Sequence, residues 1–149
     1  MTQLVVRSKR LRDGAKTPTK SHDTDAGWDL YAEKDVTIIG ASNVVGIGVA
    51  LAIPDGYFGL VRDRSGNAKR GLRVSGGVMD SGYRGEYFIT LDALHTVPTS
   101  DHCTPRIEIK AGDRIAQLLL LPVPDARMED VETLEETPRN KKGFNSTGR

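Results

Sequence analysis

Cysteine is nearly missing from this chain: of 149 residues only Cys103 is one, so no intramolecular disulfide can form. Long apolar runs are missing too. The leucine run 118–121 is bounded by Gln117 and Pro122, and no apolar run exceeds five residues, far short of the ~20 residues that cross a bilayer. The opening residues 1–7 lack the apolar stretch of a secretory signal. These absences lead to the expectation of a cytoplasmic protein (host cytoplasm if the source is viral) with no membrane partner. Charge of one sign is also lacking, with 21 basic and 20 acidic residues and a net charge of +1. No global footprint for duplex nucleic acid exists, direct nucleic-acid binding is not expected, and any anionic ligand must be met by local charges. His95, His102 and Cys103 match no structural zinc spacing. Cys103 reads as an ordinary thiol, and His22 as a surface residue.

Long helical patterns are absent, and short β-favouring runs take their place, at 36–39, 44–53, 57–61, 87–91, 106–109 and 115–123. Gly40, Pro54-Asp55-Gly56, Gly76-Gly77 and Ala111-Gly112-Asp113 punctuate them, a spacing that favours an all-β sandwich or barrel. One short helix is predicted at 66–70, with Ser65 as its cap. Arg106-Ile107-Glu108-Ile109-Lys110 alternates and should be half buried, whereas residues 118–121 are apolar on both faces and should be central or covered by another subunit. A chain of this length suffices for one domain, 1–149, burying roughly 70% of its unfolded surface. Residues 96–105 read as a polar surface loop. Beyond Glu135 apolar content almost vanishes except for Phe144, so 135–149 is expected to be a mobile, glycine-rich tail able to close over a site.

Two segments carry chemistry. Gly77-Val78-Met79-Asp80-Ser81-Gly82-Tyr83-Arg84-Gly85-Glu86 places a carboxylate after a glycine pair and three residues before a tyrosine. A β-hairpin closing here would hold an acid and a ring at the mouth of a backbone-lined slot, the layout of a site that reads a flat ring and activates water. The tail runs from Arg139 through Gly143-Phe144-Asn145-Ser146-Thr147-Gly148. Its glycines, hydroxyls and cations are what a polyphosphate requires. Together the two segments suggest a nucleotide.

With these segments placed, the chain resembles the trimeric deoxyuridine triphosphatases, the dUTP pyrophosphatases, through five short motifs in the family's order. They are Ala26-Gly27-Trp28-Asp29-Leu30-Tyr31-Ala32, Arg64-Ser65-Gly66, the 77–86 segment, Gly112-Asp113-Arg114-Ile115-Ala116-Gln117-Leu118, and the glycine-rich tail. The resemblance implies an all-β, distorted jelly-roll or β-sandwich of short antiparallel strands with one short helix. It implies hydrolysis of dUTP to dUMP and pyrophosphate, limiting uracil incorporation into DNA. Carried over residue by residue, Asp80 would activate the attacking water, and Tyr83 would pack beneath the deoxyribose. Gly77, Val78 and Met79 would read the uracil edge. Arg64, Ser65, Gly66 and Gln117 would hold phosphates, and Asp29 would bind Mg²⁺ through its water shell. From the tail, Arg139 would meet the γ-phosphate, Phe144 would stack on uracil, and Asn145, Ser146 and Thr147 would line the phosphates. A homotrimer with composite active sites is also implied.

Three positions depart from the family pattern. Asp63 stands where proline is usual, which adds negative charge near the phosphates and leaves the turn less fixed. Asn145 replaces a glycine but tolerates positive φ. Ser75 lies where an asparagine often does. Taken singly, each feature has a purely structural explanation: glycine pairs form turns, an aspartate caps one, Trp28-Asp29-Leu30 is a strand with a solvated acid, and a basic terminus is solvated. Their joint occurrence in order reverses that. The alternatives are a dCTP deaminase-like enzyme of the same fold, which would not need the Phe144 tail, and a nucleotide-gated binding protein for a regulatory partner.

Overall fold

The computed structural model describes residues 3–94 and 104–141. In chain order the elements are β1 (Arg7–Arg10), β2 (Gly27–Tyr31), β3 (Val36–Ile39), β4 (Asn43–Ala52), β5 (Tyr57–Arg62), α1 (Ser65–Lys69), β6 (Leu72–Ser75), β7 (Val78–Met79), β8 (Glu86–Ala93), β9 (Arg106–Ile109) and β10 (Arg114–Pro122). One antiparallel sheet has the order β1-β4-β8-β6, a second β2-β10-β5-β7, and β3 pairs with β9 in a ribbon.

Alternation decides which faces meet. On β8, Tyr87, Ile89, Leu91 and Ala93 are buried while Phe88 points outward and is half exposed. On β4, Val45, Ile47, Val49 and Leu51 are buried. These side chains pack with Leu30, Val61 and Leu118 of the second sheet and Ile38 and Ile109 of the ribbon in one core. Each fully buried aliphatic side chain contributes roughly 1.5–3 kcal/mol. Gly48 interrupts β4 with φ +68, where the pairing with β8 shifts register between Gly46 and Ala50. A Cβ there would sit 2.7 Å from that of Ala15, so only glycine lets the 11–15 segment close onto β4.

The all-β architecture with one short helix agrees with expectation, as do the strands at 36–39, 44–53, 57–61, 87–91, 106–109 and 115–123, within a residue or two. Two local expectations are corrected. Ser65 does not cap α1: it is the first helical residue, Arg64 occupies the cap position, and no side chain bonds the helix start. Nor does 77–86 close a hairpin, because β7 pairs with β5 in the second sheet while β8 lies between β4 and β6 in the first. The segment is instead a crossing between sheets, turned by Tyr83 N–H donating to the Asp80 carbonyl at 3.2 Å. β10 is central in its sheet, yet only Leu118 of the leucine run is fully buried, and Leu119, Leu120 and Leu121 are half-buried. From 124 to 141 the chain is exposed and holds no helix or strand.

Candidate active site

β10 aligns the first half of the site. Its Gln117 lies opposite Asp29 of β2 on one side and Arg62 of β5 on the other, so motifs far apart in sequence arrive at one end of one sheet. Asp29, Arg64, Ser65, Gly66 and Gln117 line a cleft of about 500 Å³, with Ser21, Asp25 and Gly27 at its rim. Gly27 has a steric reason to be glycine: a Cβ would lie 2.5 Å from Gln117 Oε1.

Asp29 is not the solvated acid of the simplest sequence reading. It is buried, Arg64 Nε donates to its Oδ1 at 2.7 Å, and Arg114 Nε lies 3.4 Å from its Oδ2. Two guanidiniums share this one carboxylate, and with Asp25 also on the lining the formal charges balance, so the cleft meets an anion through directed donors and not through net charge. Arg64 uses only its Nε–H in this pair, and a guanidinium has five donors, so four remain for an anion. Asp63, expected to loosen the turn and add charge, does neither. Its Oδ1 accepts from Val74 N–H at 2.6 Å and its Oδ2 from Arg73 Nη1 at 2.8 Å, while its carbonyl accepts from Gln117 Nε2 at 2.7 Å. The charge is paired and the turn held by the acid itself.

Arg114 and Asn67 are site residues that the sequence reading did not single out. Asn67 is buried and donates to the carbonyls of Arg114 at 2.8 Å and Ile115 at 3.1 Å, pinning α1 to β10. The only signal for Arg114 is its place in the fourth motif, three residues before Gln117. That of Asn67 lies wholly in tertiary contact.

The second half of the site is elsewhere. β7 is the outer strand of its sheet, so the backbone groups on its far edge have no strand partner among the described residues and can be read by a flat hydrogen-bonding ring. Gly77 must be glycine: its φ is +106, and a Cβ would lie 2.6 Å from the Val61 carbonyl oxygen. The exposed Asp80 follows β7. The Tyr83 hydroxyl donates to the Glu86 carbonyl at 2.8 Å, and the ring lies 5.9 Å from that of Tyr87 at a 34° tilt.

The two halves do not meet within one chain. Val61 N–H donates to the Gly77 carbonyl, Val78 faces Leu60 and Met79 faces Gly59, so Asp80 lies toward the end of β5 opposite from Arg64. At strand spacing the stretch from Gly59 to Arg64 alone spans roughly 15 Å. Arg139 falls in the exposed irregular segment. Phe144, Asn145, Ser146 and Thr147, like His95, His102 and Cys103, lie outside the described residues.

Among the described residues, no three His, Cys, Asp or Glu side chains gather as a metal cage. A hydrated ion asks for less. Mg²⁺ keeps several waters and binds through one or two carboxylates plus substrate phosphates. An ionised carboxylate has about four lone-pair sites, and two of those on Asp29 remain beyond its arginine contacts, so the residues present fit such an ion.

The family model of dUTPase matches residues 13–148. The chain is 42% identical over 149 residues to a deoxyuridine 5'-triphosphate nucleotidohydrolase of Rhodococcus erythropolis, covering 97% of this chain and 87% of that one. Among solved structures it is similar to the Staphylococcus bacteriophage 80alpha dUTPase with dUPNHPP, at a TM-score of 0.84 and 30% identity over 97% of this chain and 99% of the other. A variant dUTPase from phage phi11 of S. aureus, described for its coordination of a structural Mg(II) ion, superposes at a TM-score of 0.76 with 26% identity, covering 89% of this chain and 99% of that one. With the matched model spanning nearly the whole sequence and a relative 42% identical over almost all of it, the chain belongs to the dUTPase family.

Proposed function

We propose that this protein hydrolyses dUTP to dUMP and pyrophosphate in the cytoplasm, limiting uracil incorporation into DNA, and that its working form is a homotrimer with composite active sites. The observation that carries this reading is the cleft in which Arg64, Ser65, Gly66 and Gln117 converge around the arginine-bound Asp29. A wall with unused guanidinium N–H donors, hydroxyl and amide donors and backbone groups suits a polyphosphate.

Asp80 acts as general base, taking a proton from the water that attacks the α-phosphorus. Charge on the departing pyrophosphate falls to the cleft donors. Uracil offers an acceptor at O4 and a donor at N3, and cytosine reverses both, so the open edge of β7 at Val78 and Met79 discriminates them through fixed backbone groups. Tyr83, tilted against Tyr87 and tied to the Glu86 carbonyl, closes the space where a ribose 2′-hydroxyl would sit. Asp29 would hold Mg²⁺ through its water shell, and the ion when bound neutralises phosphate charge and fixes the triphosphate conformation. The tail from Arg139 through Phe144, Asn145, Ser146 and Thr147 covers the nucleotide.

The separation of Asp80 from Arg64 along β5 supports the composite site. The groups flanking one α-phosphorus must lie within a few ångströms of it, and roughly 15 Å or more separates these two. A second copy supplies the missing half. The half-exposed Phe88, the exposed Val44 and the half-buried Leu119 and Leu121 are apolar surface suited to such a contact.

Pyrophosphate release measured across deoxy- and ribonucleoside triphosphates tests the reading, with the full chain compared to one truncated before Arg139 and with mass in solution measured in parallel. dUTP should be strongly preferred, truncation should slow turnover while leaving the fold intact, and the mass should be three times that of the chain. Equal turnover of dCTP or UTP would overturn the substrate assignment.

A further inference from the structure

Asp63 joins three parts of the fold immediately before Arg64. Its carboxylate takes the Val74 N–H at 2.6 Å and Arg73 Nη1 at 2.8 Å, both on β6 of the first sheet. Its carbonyl takes Gln117 Nε2 at 2.7 Å from β10 of the second. The side chain is only 19% exposed. Helix α1 restrains this point only through the Ala68 N–H that donates to the Arg64 carbonyl at 2.9 Å, because Arg64, at φ −86 and ψ 140, caps it without a side-chain hydrogen bond. Asn67 holds the body of the helix to β10, and the chain entering the helix is held by Asp63.

We propose that Asp63 is a positioning residue for the phosphate cleft: by clamping the end of β5 to β6 and β10, it sets the direction in which Arg64 and Ser65 enter the site. The inference rests on the assignment of this cleft to the phosphates. Asp63 points toward β6 and Arg73 and away from any ligand role, so it acts through Arg64 and not by touching substrate. An acid beside an anion site is ordinarily repulsive. Here the Arg73 guanidinium and the Val74 amide absorb the charge, and what remains is a rigid anchor. The clamp bears on the part of the nucleotide that Arg64 meets, while the base-reading edge of β7 is held separately by its pairing with β5.

That separation makes the proposal testable with fragments of the substrate. Inhibition by pyrophosphate reports the phosphate cleft, and inhibition by deoxyuridine reports the base and sugar slot. For Asp63→Ala, the pyrophosphate inhibition constant and the KM for dUTP should rise together by about ten-fold, with kcat changed less than about two-fold and deoxyuridine binding unaltered, since small misplacements of a binding group weaken contacts steeply. Asp63→Asn, whose amide oxygen still accepts from Val74 N–H, should restore most of the affinity. Arg73→Ala removes a partner on an exposed side chain and serves if Asp63→Ala does not fold; it should weaken pyrophosphate about three-fold, the scale of one hydrogen bond. Pyrophosphate inhibition equal to wild type in the folded variants, or an equal loss of deoxyuridine binding, overturns the inference alone. A wild type that binds no pyrophosphate overturns the cleft assignment and the inference together.

Discussion

The Tyr83 hydroxyl reaches back over Gly85 to donate to the Glu86 carbonyl at 2.8 Å. The ring therefore occupies the space that a side chain at 85 would take: a Cβ there would lie 2.7 Å from Tyr83 Cζ and 3.0 Å from Cε2. Gly85→Ala should push the ring off its seat against Tyr87 without disturbing the sheets. The expected result is a fall of about 10–100-fold in kcat/KM for dUTP, because reacting groups tolerate little misplacement, and a narrowed preference for dUTP over UTP. Circular dichroism should be unchanged. Unaltered sugar discrimination would remove Tyr83 from its role as the sugar platform.

Asp80→Asn keeps the shape of the turn and removes the proposed base. Loss of a general base typically costs 10²–10⁴-fold, so turnover should fall by about that factor while the affinity for dUTP stays near that of the unmodified protein. Single-turnover hydrolysis and a separate binding titration distinguish the two. Full turnover in this variant would end the assignment of Asp80.

The residues that could be read from sequence are those whose signal is local. β8 announces itself through Tyr87, Ile89 and Leu91 at alternate positions, and β9 through Ile107 and Ile109. β1 has no such signal, since all of Arg7–Arg10 is exposed and the strand exists only through its pairing with β4. β7, just two residues long, is too short for any periodicity, so the crossing at 77–86 could pass for a hairpin. The motif residues Asp29, Arg64 and Gln117 were visible as types in order. Their convergence comes from the register of β10 against two strands, a long-range fact with no local trace. The anchoring roles of Asp63 and Asn67 depend on partners up to 54 positions away and were not legible.

Tyr87 carries a cost that the fold tolerates. Its side chain is fully buried, and its hydroxyl has no hydrogen-bond partner among the described residues. Burial pushes its ionisation up to about 12. An unsatisfied buried hydroxyl costs about 1–3 kcal/mol, so Tyr87→Phe, which keeps the ring against Tyr83, should equal or exceed the parent in urea stability at pH 7. The sign in alkali follows from the raised value. The unfolded tyrosine ionises near 10 and the folded one later, so stability is lost as pH climbs through that window, and the phenylalanine variant escapes the loss. A variant less stable than the parent at both pH 7 and pH 11 would mean that the hydroxyl has a partner.

Arg12 ties together three distant segments: its guanidinium donates to Glu33 at 2.5 and 2.8 Å and to Glu86, and Glu86 also accepts from Gly48 N–H at 2.9 Å. The hydrogen bonds from Arg12 are the main reason that both carboxyls titrate below their ordinary range. A depressed acid contributes stability above its unfolded pKa, about 4.3 for glutamate, and loses it as pH falls through the folded value. The parent should therefore weaken on acidification below about pH 4. In Arg12→Met the two carboxylates lose their hydrogen-bonded cation and keep only the weaker field of Lys34, so neutral pH is where the variant should suffer most, and protonation relieves it. Urea melts at pH 7 and pH 3 should show a gap between the two proteins that is wide at neutrality and nearly closed in acid. Parallel pH curves would mean that Arg12 packs against its neighbours without holding their charge. Because the Glu86 carbonyl is the acceptor for Tyr83, the same variant should also lose some preference for dUTP over UTP at pH 7, linking the ion pair on the Glu86 side chain to the proposed sugar platform held by its backbone.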